Sequence, residues 1–118
     1  MGTAHDPAVF LSSQRAGLAQ AIAAQIYAVT AAEMRGATRG RPRAARARQI
    51  AIALARGVFD MSQKELADAF GRDRSTVGHA CNRIAELRQA DEEFDSTLRW
   101  MESHLRRAAG LYQGRMGA

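Results

Sequence analysis

A short run of small polar residues is the part of this sequence whose spacing suggests chemistry with a large partner. If residues 74 to 88 form a helix, Val77, Cys81 and Ile84 recur on one side at intervals of four and three. The opposite side then carries Ser75, Gly78, His79 and Asn82. Short donors and acceptors let a helix backbone come close to base edges in the major groove of duplex DNA. This face is therefore a candidate base-reading surface.

Positive charge is the second feature with chemical consequences. The net charge is +5 and the isoelectric point is about 10.6, and the basic residues are arginines apart from Lys64. No acidic residue lies between Glu33 and Asp60, a segment that holds Arg35, Arg39, Arg41, Arg43, Arg46, Arg48 and Arg56. Guanidinium groups suit phosphates and guanine edges, so the excess predicts a polyanionic partner. A solvated basic loop is the alternative interpretation.

Start signals predict helices before and after this basic segment. Asp6 followed by Pro7 favours a helix start, and Gly17 leaves open whether that helix is continuous. Capping-box spacing occurs twice, at Thr30 with Glu33 and at Ser62 with Glu65. We therefore expect a first helix with an apolar stripe, a short second helix ending near residue 34, and a loop over residues 36 to 42.

Stop signals then define a pair of helices around a short turn. We expect the helix after Pro42 to end at Gly57 and Asp60, and the helix opened by Ser62 to end at Gly71. Asp73 can cap the next helix, and a last amphipathic helix is expected from about Glu92. A short helix, a three-residue turn and a longer helix have the dimensions of a helix-turn-helix.

Length and composition exclude several other classes. The 118 residues fit one domain, and no apolar run approaches the length of a membrane span. Cys81 is the single cysteine, so we expect neither an internal disulfide nor a thiolate zinc site, and no other spacing suggests a metal. The acids Asp91, Glu92, Glu93 and Asp95 are better explained by the start of the last helix than by a nuclease site. We expect a cytoplasmic protein that is not an enzyme and needs no cofactor.

The run from Gly71 to Ile84, GRDRSTVGHACNRI, resembles the signature of the C-terminal DNA-binding domain (domain IV) of the bacterial replication initiator DnaA. The resemblance continues upstream through RARQIA at residues 46 to 51 and covers roughly residues 18 to 105. It implies an all-α, Trp-repressor-like helix-turn-helix fold of about six helices. We expect an N-terminal helical extension at residues 1–17, the DNA-binding domain at 18–109 and a flexible tail at 110–118.

The resemblance also implies roles for individual residues. It implies base contacts for Asp73, Ser75, Thr76 and His79, a minor-groove position for Arg46, and phosphate contacts for Arg48, Lys64 and Arg72. To these we add Arg43 and Arg83 as phosphate contacts and Arg74 as a base contact. Arg74 stands where the family usually has histidine, and arginine prefers guanine. For Asp73, capping of the helix and acceptance from a cytosine amino group both stay open.

The basic loop adds a further hypothesis. Arg39 and Arg41, within the run RGRP, look like the core of an AT-hook that lays two arginines along an A·T minor groove. A generic phosphate-binding loop is the alternative.

Together these patterns predict sequence-specific binding to A·T-rich, DnaA-box-like duplex sites by a nucleoid-associated, stand-alone protein that modulates replication initiation or transcription. The sequence contains no phosphate-binding loop of the ATPase type, so we expect no ATP hydrolysis. The alternative is an adaptor that binds the replication initiator or its regulators, because Val9, Phe10 and Leu11 are unplaced by the helical pattern.

Overall fold

Six α-helices make up the computed structural model, which describes residues 6–36 and 42–110. No strand occurs within those two ranges, so the all-α prediction is confirmed. The helices are α1 (Pro7–Ile26), α2 (Ala31–Met34), α3 (Pro42–Phe59), α4 (Gln63–Phe70), α5 (Arg74–Ala90) and α6 (Glu92–Ala108).

Local capping explains where several helices begin. The Asp6 carboxylate accepts a hydrogen bond from the Ala8 backbone N–H at 2.9 Å, and Pro7 opens α1 as predicted. Both predicted capping boxes form. Thr30 and Glu33 exchange side-chain and backbone bonds at the start of α2, and Ser62 and Glu65 do the same at the start of α4.

Helix α3 is the centre of the core. It packs against α1 and α5 above all, and also against α6, α2 and α4. Alanines on its buried side, such as Ala47 and Ala51, leave room for the neighbouring helices to approach closely. The largest fully buried side chains come from five residues of α3, α4 and α5 and three of α6: Ile50, Leu54, Leu66, Val77, Ile84, Leu98, Met101 and Leu105.

The turn between α4 and α5 is built by a glycine ending. Gly71 has a left-handed backbone (φ 65°), and the Arg72 N–H donates to the Ala67 carbonyl at 3.0 Å in a Schellman arrangement. After this turn, α5 lays Val77, Ala80 and Ile84 on the core. The predicted helix-turn-helix is therefore present.

Two glycines do not interrupt their helices. Helix α1 runs through Gly17 without a break, so residues 7–17 share a helix with the residues that follow. Of the two residues expected to end α3, Asp60 is confirmed and Gly57 is not, because the helix continues to Phe59 and Asp60 then adopts a left-handed backbone (φ 54°). Buried residues lie within two positions on both sides of each glycine, Ala16 and Ala19 in α1 and Ala55 and Phe59 in α3. That packing outweighs the roughly 1 kcal/mol that glycine costs in a helix.

A charged cluster joins α5 to α6. The Arg88 guanidinium donates to the Asp95 carboxylate and, at 2.8 Å from Nη1, to Glu102. These hydrogen bonds, led by that of Glu102, raise the pKa of Arg88, and the bond from Arg88 lowers the pKa of Asp95. The three side chains are only about one-fifth to one-quarter exposed. The cluster therefore holds the C-terminal half of α5 in place.

Some expectations fall outside the described residues. The proposed hook arginines Arg39 and Arg41 belong to residues 37–41, and the predicted tail belongs largely to residues 111–118. Among the helices of the described ranges, none combines the length and apolar character that crossing a membrane would take.

We predict that Arg88→Met destabilises the protein by about 1–2 kcal/mol at neutral pH, between the values typical of exposed and buried ion pairs. Methionine keeps the aliphatic bulk and helix propensity but removes the donors. Urea unfolding followed by circular dichroism measures the loss. An unchanged midpoint would show that the cluster contributes nothing to stability.

Comparison of the wild type with Arg88→Met also predicts how the stabilisation by this cluster depends on pH. Because folding lowers the pKa of Asp95 from its usual 3.8, the stabilisation is present above about pH 3.8 and is lost as the pH falls through the lower, folded-state pKa. The difference in unfolding free energy between the wild type and Arg88→Met should therefore shrink in acid. A difference that stays constant from neutral pH to pH 3 would contradict this assignment.

Candidate nucleic-acid interface

The first two turns of α5 present the polar face that the sequence predicts. Ser75, Thr76 and His79 are exposed, whereas Val77 and Ala80, on the opposite side, are buried. In the part of the chain that the structure describes, no side-chain hydrogen bond occupies Ser75, Thr76 or His79. Their donors and acceptors are therefore available to an external partner.

Cys81 supports this division of the helix. It is half-buried on the core side, and burial raises the pKa of its thiol. A neutral, partly buried thiol packs as a small apolar group. Its predicted place on the inward side of α5 is thus confirmed.

Asp73 departs from one of its two predicted roles. It occupies the N-cap position of α5 with an extended backbone, and its carbonyl accepts from the Val77 N–H at 3.0 Å, but its carboxylate makes no capping hydrogen bond. The side-chain cap is therefore not formed, although the backbone of Asp73 has the extended conformation of an N-cap residue. The exposed carboxylate is left for the other role, acceptance from a base.

A neighbour of this face escaped the sequence analysis. Gln63, the first residue of α4, donates from Nε2 to the backbone carbonyl of Arg74 at 3.0 Å. The same nitrogen lies 2.8 Å from the position that a Cβ on Gly78 would take. The glycine in the second turn of α5 therefore leaves space for a side chain of α4. The signal for this contact in the sequence is a polar residue at the first position of α4 together with a glycine inside α5.

The guanidiniums of Arg48 and Arg72 meet beside the turn. Together with Arg35 they line a pocket of about 310 Å³ between α1, the end of α2, α3 and the turn. The Arg48 Nη1 donates to the Glu33 carbonyl at 2.8 Å. Arg72 reaches Gly36, whose left-handed backbone (φ 82°) carries no side chain to block it.

Electrostatics at this pocket favour an anion. Burial, followed by the positive charge of Arg72, lowers the pKa of Arg48. Among the described residues that line the pocket, none is an Asp or Glu. A phosphate placed there would relieve the repulsion between the guanidiniums and accept charge-assisted hydrogen bonds. Arg48 and Arg72, which the sequence analysis named separately, thus form a single candidate phosphate-binding site.

The other predicted phosphate and groove residues are more dispersed. Lys64 pairs with Asp68 at 2.9 Å and Arg83 with Glu86 at 3.5 Å, both on exposed helix surface, where such pairs are weak and exchangeable. Arg46 is half-buried and donates from Nε to Gln49, one turn along the same helix, at 3.1 Å. Arg43 and Arg74 are exposed at the starts of α3 and α5.

In the two described ranges, no group of three or more His, Cys, Asp or Glu side chains is placed to hold a metal ion. The chemistry of the surface is that of hydrogen bonding and charge. It consists of an exposed polar helix face with an arginine pocket at its base.

The matches to known proteins include a family model and a curated relative. The family model described as the bacterial DnaA protein helix-turn-helix matches residues 18–84, more than half of the chain. The chromosomal replication initiator protein DnaA of Laribacter hongkongensis (strain HLHK9) is 39% identical over 88 residues. That alignment covers 74% of this chain and 18% of the relative, so the chain spans less than one-fifth of the relative's length.

We predict that Gly36→Ala weakens duplex DNA binding as well as stability. The left-handed backbone would cost about 1–2 kcal/mol with an alanine, and the new Cβ would lie 2.6 Å from Arg72 Nη2, which must move. Gly110→Ala is the matched control, because Gly110 also has a positive φ (74°) but no atom within 4 Å of its Cβ position. Unfolding curves and fluorescence anisotropy should show a stability loss for both variants and an affinity loss for Gly36→Ala alone. Equal DNA affinities of Gly36→Ala and Gly110→Ala would show that Arg72 does not contribute to DNA binding.

Proposed function

The chain belongs to the bacterial DnaA helix-turn-helix family of DNA-binding domains, and from that premise we propose that it recognises DnaA-box-like sites in double-stranded DNA. Occupancy of such sites would modulate replication initiation or nearby transcription. The proposal includes no ATP hydrolysis and no catalysis. It also includes a location in the cytoplasm with the nucleoid, where such sites would be.

The observation that carries the proposal is the unoccupied polar face of α5. Ser75, Thr76 and His79 project from a helix whose other side is fixed to the core by Val77 and Ala80. A rigid helix with small, free polar groups fits the major groove, where each base pair presents a distinct pattern of donors and acceptors. We propose base contacts for these three residues, for Asp73 and for Arg74, whose guanidinium would select guanine at one position of the site.

Phosphate contacts would fix this helix in register. The pocket of Arg48 and Arg72 lies at the turn that starts α5, so a phosphate held there would stand beside the groove that α5 enters. We propose Arg43, Lys64 and Arg83 as further backbone contacts. Arg46 is proposed for the adjacent minor groove, and Arg39 and Arg41 for an A·T minor groove reached by the basic loop.

We predict a steep salt dependence of binding. If about six arginine contacts displace counterions, the slope of log K against log salt approaches −5 to −6. Anisotropy of a labelled A·T-rich duplex, measured between about 50 and 300 mM salt, tests this. A flat response would reject phosphate binding and with it the proposed function.

We also predict that two alanine variants divide the surface into base and phosphate contacts. His79→Ala should cost about 1–3 kcal/mol on the preferred duplex and much less on a random duplex. Arg72→Ala should weaken binding to both duplexes by similar factors. Arg107→Ala, at the C-terminal end of α6, removes the same charge from another helix and serves as the control. Equal losses on both duplexes for His79→Ala would remove it from base reading.

A second candidate function rests on the start of α1. Val9, Phe10 and Leu11 are 58%, 62% and 45% exposed, which is unusual for three consecutive apolar residues. An adaptor that binds the replication initiator would use such a surface. Val9→Ser with Phe10→Ser tests it without removing buried residues of α1, such as Ala16. Loss of initiator binding with duplex binding intact would favour the adaptor, as would failure of the wild type to prefer any duplex.

A further inference from the structure

The start of α5 is tied to α4 by one side-chain amide. In the described part of the chain, the bond from Gln63 Nε2 to the Arg74 carbonyl is the side-chain hydrogen bond that links α4 to the first turn of α5. Asp73 does not supply the usual anchor, because its carboxylate makes no capping bond. The side-chain hydrogen bond at this turn therefore comes from a neighbouring helix and not from the cap residue of α5.

Gly78 is the complement of that amide. One turn after Arg74, it offers only a Cα hydrogen where any other residue would place a Cβ 2.8 Å from Gln63 Nε2. Glycine is an unfavourable choice inside a helix, and its cost is offset when a close approach requires it. Gln63 and Gly78 thus form a matched pair, a long polar side chain on one helix and a gap on the other.

We infer that Gln63 is a positioning residue for DNA recognition, which sets the placement of Arg74 and Ser75 relative to α4. The inference rests on the proposed function, because these two residues belong to the face proposed to read bases. Recognition depends on placing donors and acceptors within hydrogen-bond distance of base edges. A small rotation of the first turn of α5 would therefore change base discrimination more than it changes overall affinity, which phosphates dominate.

A double-mutant cycle tests the pair directly. The preferred duplex is first selected from a random pool with the wild-type protein, and selectivity is the ratio of the Kd for a scrambled duplex to the Kd for the preferred one. The variants are Gln63→Met, which keeps the length but removes the donor, Gly78→Ala, which fills the gap, and the double variant. Gln89→Met, an exposed glutamine in the C-terminal half of α5, is the matched control.

We expect Gln63→Met and Gly78→Ala each to lower selectivity by about threefold to tenfold, as the loss of one hydrogen bond would. In the double variant, Gly78→Ala should add less than about twofold, because the amide it displaces is already absent. Gln89→Met should leave selectivity unchanged.

A second variant distinguishes a loss of protein stability from a change in the position of α5. Gln63→Glu retains the length and places an acid in the first turn of α4, where it favours the helix dipole, but it cannot donate to the Arg74 carbonyl. Its added charge lowers affinity for every duplex and cancels in the ratio. Reduced selectivity with an unchanged melting temperature would support positioning.

The outcomes that overturn the inference are distinct from failure of the proposed function. Unchanged selectivity in Gln63→Met and Gln63→Glu, with a selective wild type, would overturn the inference alone. Fully additive effects of the two substitutions would overturn the pairing of Gln63 with Gly78. A wild type that binds all duplexes equally would overturn both the inference and the proposed function.

Discussion

Burial of α3 is the constraint on which the rest of the structure depends. Alanines such as Ala47 and Ala51 have small side chains, which let the neighbouring helices α1 and α5 approach α3 closely. The larger side chains of Ile50 and Leu54 are fully buried in the core. Because α5 is held by Val77, Ala80 and Ile84, its other side must face away from the core. The exposure of the polar face is thus a consequence of packing, and the same packing keeps that face rigid.

The charge distribution follows from the same arrangement. Arg48 projects from α3 and Arg72 from the turn before α5, and the two meet only because α3 and the turn lie side by side. The left-handed Gly36 leaves the space that Arg72 occupies. Lys64 and Arg83 are instead paired with acids along exposed helix surfaces, where a competing anion displaces their partners at little cost. The arginine pocket differs from these pairs because no Asp or Glu lines it.

Sequence alone determined the features that are set within one helical turn. The two capping boxes, the start at Asp6 and Pro7 and the glycine ending at Gly71 all form as predicted, because each depends on residues between two and five positions apart. The inward and outward sides of α5 were also predictable, since a period of 3.6 residues fixes which side chains share a face. The resemblance carried by residues 71 to 84 pointed to the family that the comparison then showed.

Only the tertiary structure decided the features that require contacts between distant segments. Propensity favoured a break at Gly57 and left one open at Gly17, but burial on both sides of each glycine keeps the helix intact. A cap was expected at Asp73, yet the first turn of α5 is tied instead to Gln63, whose amide lies 11 residues away in sequence. The proximity of Arg48 to Arg72 could not be predicted from the sequence either, because spacing along the chain carries no information about which helices pack together. Local rules fix helices and their faces, and the burial of α3 fixes which of those faces meet.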